Sequence, residues 1–202
     1  MNSAWGNGGA SWASETVLYA WVAAGVFVVG SALFTNRIKQ REPVRNRLLD
    51  RTLLLGGYIL MFSQLFSKTS LPGPLQGHFL PMREPLQIAG VALAWVGSAL
   101  IIWARACLGR YWSGVVALKQ DHRLIQTGPY RVVRHPLYTG ILLAACGWCL
   151  VMPAWSSLLG ALSLTACFMR RAHKEDALLA AEFGAEFEAY RQRTGRLAPR
   201  LS

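Results

Sequence analysis

The sequence has little charge, and very little of it is negative. Ten Asp and Glu stand against 21 Lys and Arg, for a formal net charge of +11, and charged residues are only 15% of the 202. Hydrophobic residues are 53%, which is too apolar for an ordinary water-soluble domain. The basic excess does not mark a nucleic-acid binder, because the basic residues sit between apolar blocks. Cysteine is scarce as well. Cys107, Cys146, Cys149 and Cys167 all lie in or beside apolar segments, a pattern that excludes the disulfide framework of a small secreted protein. Cys146-Gly-Trp-Cys149 has CxxC spacing, but its apolar surroundings point to packing rather than redox chemistry. The chain lacks a Walker loop, a GxGxxG turn, a nucleophile elbow and any His, Cys, Asp and Glu grouping with metal-site spacing. It has no internal repeat. No basic region precedes the first apolar block, so a signal peptide is not expected and the first block should be retained.

Long apolar runs are what the chain does have. Residues 16–34, 48–66 and 86–104 each approach the ~20 residues that a membrane-spanning helix needs. Residues 137–152 and 154–169 are shorter and meet at Pro153, as a helical hairpin would. The expected fold is an all-α polytopic membrane protein of about five spans. Gly56, Gly57, Gly90, Gly97 and Ser98 are small residues suited to close helix contact. Trp5 and Trp12 suit a membrane interface. Residues 68–85 are rich in Pro and Gly and read as a loop. Only Lys68 and Arg83 of the 21 basic residues fall in that loop. The positive-inside rule then puts the N-terminus outside and the C-terminus in the cytoplasm, with a prokaryotic inner membrane as the expected location. Leu179, Phe183, Phe187 and Tyr190 form one stripe, so residues 172–192 are expected to make an amphipathic cytoplasmic helix. The chain divides into a two-span region, 1–85, and a functional core, 86–202.

Three polar clusters fall on the expected cytoplasmic side: 109–113 leading into 119–125, then 127–140, then 170–176. The middle one, Thr127-Gly-Pro-Tyr-Arg-Val-Val-Arg-His-Pro-Leu-Tyr-Thr-Gly140, is too rich in Pro, Gly, Arg and aromatics for a plain connector. Together the clusters would make a pocket joining water to lipid. Arg171 and Glu175 are one helical turn apart, which is also the spacing of a surface ion pair worth only ~0.3–0.5 kcal/mol. His122, His135 and His173, taken singly, fit structural or interfacial histidines more often than catalytic ones.

The segment Gly109-Arg-Tyr-Trp-Ser113, the motif from Gly128 to Gly140, and Glu175-Asp-x-x-Leu-x-x-x-Phe-Gly184 together resemble the isoprenylcysteine carboxyl methyltransferase family, which is related to phospholipid N-methyltransferases. The resemblance covers roughly residues 86–200. The family's acidic pair is usually Glu-Glu, whereas here it is Glu175-Asp176, so the shorter Asp176 is expected to matter less than Glu175. The resemblance implies S-adenosylmethionine as methyl donor. It assigns Lys119, His122, Arg123, Leu124, Ile125, Tyr130, His135, Pro136, Leu137, Tyr138 and Glu175 to the donor, and Arg171 to the methyl acceptor. His135 and Arg171 are the expected catalytic residues. The implied partners are membrane lipids and a lipid-like or prenylated acceptor.

Methyl transfer from a sulfonium is an in-line displacement, and the donor supplies most of the driving force. A carboxylate acceptor, with a pKa near ~4, needs no base. An amine must first lose a proton, for which His135 or Glu175 would be candidates. Carboxyl methylation leads, with amine and thiol methylation open. A membrane reductase using a nicotinamide cofactor is the alternative enzyme. A scaffold with a degenerate site is the non-enzymatic one.

Overall fold

The computed structural model describes residues 12–35, 37–41, 44–65, 72–119 and 123–200. Its helices are α1 (Trp12–Ser31), α2 (Val44–Phe62), the short turn α3 (Gly73–Gln76), α4 (Glu84–Leu108), α5 (Pro136–Val151), α6 (Trp155–Phe183) and α7 (Ala185–Arg193). The fold is thus helical. Its sheet structure among the described residues is a two-stranded antiparallel ribbon, β1 (Ile38–Arg41) with β2 (Ala117–Lys119), in stretches the sequence reading left without strands.

Small residues set the helix packing. α4 lies against α5 and α1, and α2 lies against α6. At the α4–α5 crossing a Cβ on Gly97 would stand 2.5 Å from the Gly140 carbonyl oxygen, so the two backbones touch where neither residue has a side chain. Gly57 meets Gly160 in the same way between α2 and α6, while its neighbour Gly56 faces open space. Trp148, Met61, Leu164, Val17 and Val151 fill the centre. The Trp148 indole N–H donates to the Met61 carbonyl at 2.7 Å, which satisfies the one polar atom of that ring.

Two helical stretches, Trp12–Phe34 and Glu84–Tyr111, are long and apolar enough to cross a membrane, and α5 is a shorter apolar helix. Only 17% and 28% of their apolar windows are buried within the chain. Val22, Val26, Val29, Leu33, Trp95 and Val96 all point outward. Apolar helices that bury so little of themselves are not the core helices of a water-soluble bundle.

The C-terminal region departs from expectation. The stretch 172–192 is not one amphipathic helix. α6 continues without interruption from its apolar start at Trp155 through to Phe183, because residues 170–182 are mostly good helix formers with no breaker among them. The chain breaks at Gly184, whose φ of +51° stops the helix. The expected stripe is therefore split: Leu179 stays on α6, while Phe187 and Tyr190 are buried on α7. α5 and α6 join at Pro153 as expected, yet each packs chiefly on another helix, α4 and α2 respectively.

Candidate functional site

Arg105, in the last turn of α4, fixes the rim of the site. It is buried, donates to the Gly109 and Ser31 carbonyls at 2.8 and 2.6 Å, and lies 4.7 Å from the Trp112 ring centroid. It thus ties the end of α1 to the end of α4 and seats Trp112. The segment from Gly128 to His135 then folds back across the helix ends. Tyr130 is buried; its hydroxyl reaches the Ala104 carbonyl at 3.4 Å, and its own carbonyl accepts from the Tyr190 hydroxyl at 2.7 Å. Burial holds the Tyr130 phenol well above its ordinary pKa, so it is a neutral donor.

His135 precedes Pro136, the first residue of α5, and is 5% exposed. α6 presents two consecutive carboxylates to it. Nε2 lies 2.9 Å from Asp176 Oδ1, and Nδ1 lies 3.2 Å from Glu175 Oε2. The Tyr138 hydroxyl, one turn into α5, donates to Glu175 Oε1 at 2.6 Å. Its ring stacks on that of His135, with centroids 5.6 Å apart. Burial works against a charged imidazole, but the bonds to Asp176 and Glu175 outweigh it and raise the His135 pKa above its ordinary value. Burial also opposes ionisation of Asp176. The His135 bond, with Arg196 and Arg134 beside it, prevails and brings that carboxyl down to about 2. Each ring nitrogen of His135 thus faces a carboxylate, an arrangement suited to fixing the ring and, through it, Glu175.

A cleft opens above this cluster, lined by Tyr111, Trp112, Ser113, Val115, Tyr130, Arg134, His135, Leu137, Tyr138 and Glu175, with leucines from α4 and α6. Residues from all three polar clusters meet there. Of the residues assigned to the donor by resemblance, Tyr130, His135, Leu137, Tyr138 and Glu175 line the cleft. Pro136 is buried behind it and starts α5. Arg123, Leu124 and Ile125 lie in an irregular stretch outside the lining. Lys119 is on β2, and His122 lies outside the described residues.

Arg171 is not in the cleft. It lines a smaller cavity beside it with Arg47, Asp50 and Arg51 of α2 and with Val115 and Val116. Val115 borders both spaces. Arg171 donates weakly to the Gly114 carbonyl at 3.4 Å, rather than pairing with Glu175, whose two oxygens are taken by Tyr138 and His135. The Nε atoms of Arg47 and Arg171 are buried without a hydrogen-bond partner among the described residues. Asp50 is already engaged by Arg170 at 3.3 Å and Lys174 at 2.7 Å. Sequence reasoning did not single out Asp50 or Arg47 for the site, and it set Asp176 below Glu175. The adjacency of Asp176 to Glu175 was the available signal.

The family model described as "Isoprenylcysteine carboxyl methyltransferase (ICMT) family" matches residues 90–181. Among similar proteins, a protein-S-isoprenylcysteine O-methyltransferase of Schizosaccharomyces pombe is 34% identical over 110 residues, covering 53% of this chain and 47% of its own. A methanethiol S-methyltransferase 2 of Bradyrhizobium diazoefficiens is 43% identical over 72 residues, covering 36% and 27%. A nickel-cobalt-cadmium resistance protein of Alcaligenes xylosoxydans is 33% identical over 116 residues, covering 54% of each. The chain spans about half or less of the length of the curated relatives it matches. The matched segment runs from α4 to α6 and contains Tyr130, Tyr138, Arg171 and both carboxylates that hold His135; over it the chain is similar to the isoprenylcysteine carboxyl methyltransferase family.

Proposed function

We propose that this protein is an integral-membrane methyltransferase that moves a methyl group from S-adenosylmethionine to a hydrophobic acceptor with an anionic end, the carboxylate of an isoprenylcysteine-like molecule in the favoured form. The observation that carries this reading is the carboxylate of Glu175, held by His135 and Tyr138 at the wall of an aromatic-lined cleft within the family segment. The residues fit the donor. A fixed carboxylate suits its ammonium group, and the faces of Tyr111, Trp112, Tyr130 and Tyr138 suit a sulfonium cation and a purine ring. When bound, the donor supplies an activated methyl group.

The chain's own part is to bind, orient and exclude water. Tyr138 and His135 fix the rotamer of Glu175. Val115 separates the cleft from the cavity where Arg171, Arg47 and Arg51 supply guanidinium groups. That cationic cavity supports a carboxylate acceptor, already ionised and needing no base, over a neutral thiol or an amine. Lys119, His122 and Arg123–Ile125 keep a donor role on resemblance alone. The exposed apolar faces of α1 and α4 support embedding in a bilayer. The five-span arrangement with a cytoplasmic C-terminus remains part of the proposal, as does the core beginning near residue 86.

The test is calorimetric binding of S-adenosylmethionine to protein in nanodiscs, with a nicotinamide dinucleotide as comparison. Selective donor binding that weakens about tenfold or more in Glu175→Gln is expected. Preference for the dinucleotide would replace the reading with a reductase. Arg171→Ala is expected to raise the KM for a prenylated carboxylate while donor affinity holds. The opposite split would move Arg171 to the donor.

A further inference from the structure

We propose that Arg196 is a positioning residue of the donor site, and that residues 194–197 form a strap that completes the site from outside the segment matched to the family. The proposal rests on the reading of the cleft as a methyl-donor site.

The strap has no helix or strand to hold it, yet it is bound at nearly every residue. Gly195 N–H donates to the Val132 carbonyl at 3.2 Å, and the Gly195 carbonyl accepts from Arg134 N–H at 2.9 Å. The Arg196 carbonyl accepts from His135 N–H at 3.1 Å. The Leu197 carbonyl accepts from the Thr139 hydroxyl at 2.7 Å. The Arg134 and His135 N–H groups precede the first turn of α5 and have no partner within that helix. The strap supplies the missing acceptors, so the backbone on which His135 sits is shaped by residues some 60 positions away in the chain.

The side chains continue the connection. Arg196 Nε donates to Asp176 Oδ2 at 2.9 Å, and its Nη1 meets His173 Nε2 at 2.6 Å. Arg134 approaches the same carboxylate from the other side, with Nε 3.4 Å from Oδ1. Arg134 is itself held by the Thr194 and Arg191 carbonyls. Asp176 is thus a buried carboxylate held by Arg134, Arg196 and His135, and its plane is fixed. That plane sets the direction of the His135 ring through Nε2, and the ring sets Glu175 through Nδ1. Arg196 acts through this chain of contacts without lining the cleft.

Arg196→Met removes the donor atoms while keeping much of the side-chain volume. Its expected effect is donor affinity weakened about tenfold, with acceptor KM changed less than twofold and Tm within a few degrees of the parent, in line with what supporting hydrogen bonds contribute at bound-ligand sites. Arg196→Lys, which can make one of the two contacts, should fall between, near threefold. Arg200→Ala, in the same tail but bonded among the described residues to the Gln192 carbonyl, is the control and should bind donor as the parent does. Donor affinity unchanged in Arg196→Met overturns the proposal. So does a parallel loss of donor affinity, acceptor affinity and Tm, which would mark Arg196 as merely structural. If the Met variant does not fold, the Lys variant decides by the same criteria: weakened donor binding at parental Tm supports the role, and parental binding overturns it. If the parent itself binds no S-adenosylmethionine, the donor reading fails before any variant is compared.

Discussion

At the scale of single residues, the site is a row of charges in which each group fixes the next. The pairing of His135 with Asp176 has a definite pH signature. The His135 pKa is raised on folding, so its contribution is complete below the ordinary value of 6.5 and is lost as pH rises through the folded value. The Asp176 pKa is lowered from 3.8 to about 2, so its contribution is complete above 3.8 and is lost as pH falls toward 2. It is on the order of 2 kcal/mol. Thermal melts in nanodiscs should therefore show a plateau from about pH 4 to 6.5 with declines on both sides. In His135→Gln the alkaline decline should flatten, because a neutral amide has no proton to lose. His135, Tyr138 and Glu175 were legible in the sequence, since the spacing around Pro136 and the acidic pair after the last apolar run pointed to one place. Asp176 was undervalued because its short reach was measured toward a ligand, whereas its role is toward His135. Arg196 gave no signal, because its partners are set by the return of the tail across the helix ends.

At the scale of elements, helix contacts were legible as small residues at apolar positions, and two of the close crossings are at Gly57 and Gly97. The consequence can be measured. Gly97→Leu would push a side chain into the Gly140 backbone and should destabilise the fold by about 1–3 kcal/mol. The same change at Gly56, which faces open space, should have little effect. A comparison of the two Tm values checks this. The C-terminal helix was misread because periodicity reports the face of a helix but not its continuity. Leu179, Phe183, Phe187 and Tyr190 keep helical spacing on both sides of Gly184, and only the backbone sign at Gly184 separates them. The uninterrupted α6 has a structural result: one rigid rod carries Glu175 to the cleft, Asp176 to His135 and Arg171 to the cavity beside the cleft.

At the scale of the whole molecule, the strap joins residues far apart in sequence, whereas the helices are made of near neighbours. Contacts closed over some 60 residues carry a large ordering cost and form slowly relative to local helix turns. The proposed donor site, which leans on this strap, is therefore expected to open before the helices themselves do. In a denaturant titration, donor binding should disappear at a lower concentration than the helical signal in circular dichroism. Coincident midpoints would show that strap and helices unfold as one unit. The coupling also runs the other way. On the proposed reading, a donor that binds only the closed form adds to its stability by mass action, so the cellular supply of that donor would enter into how long the folded protein lasts.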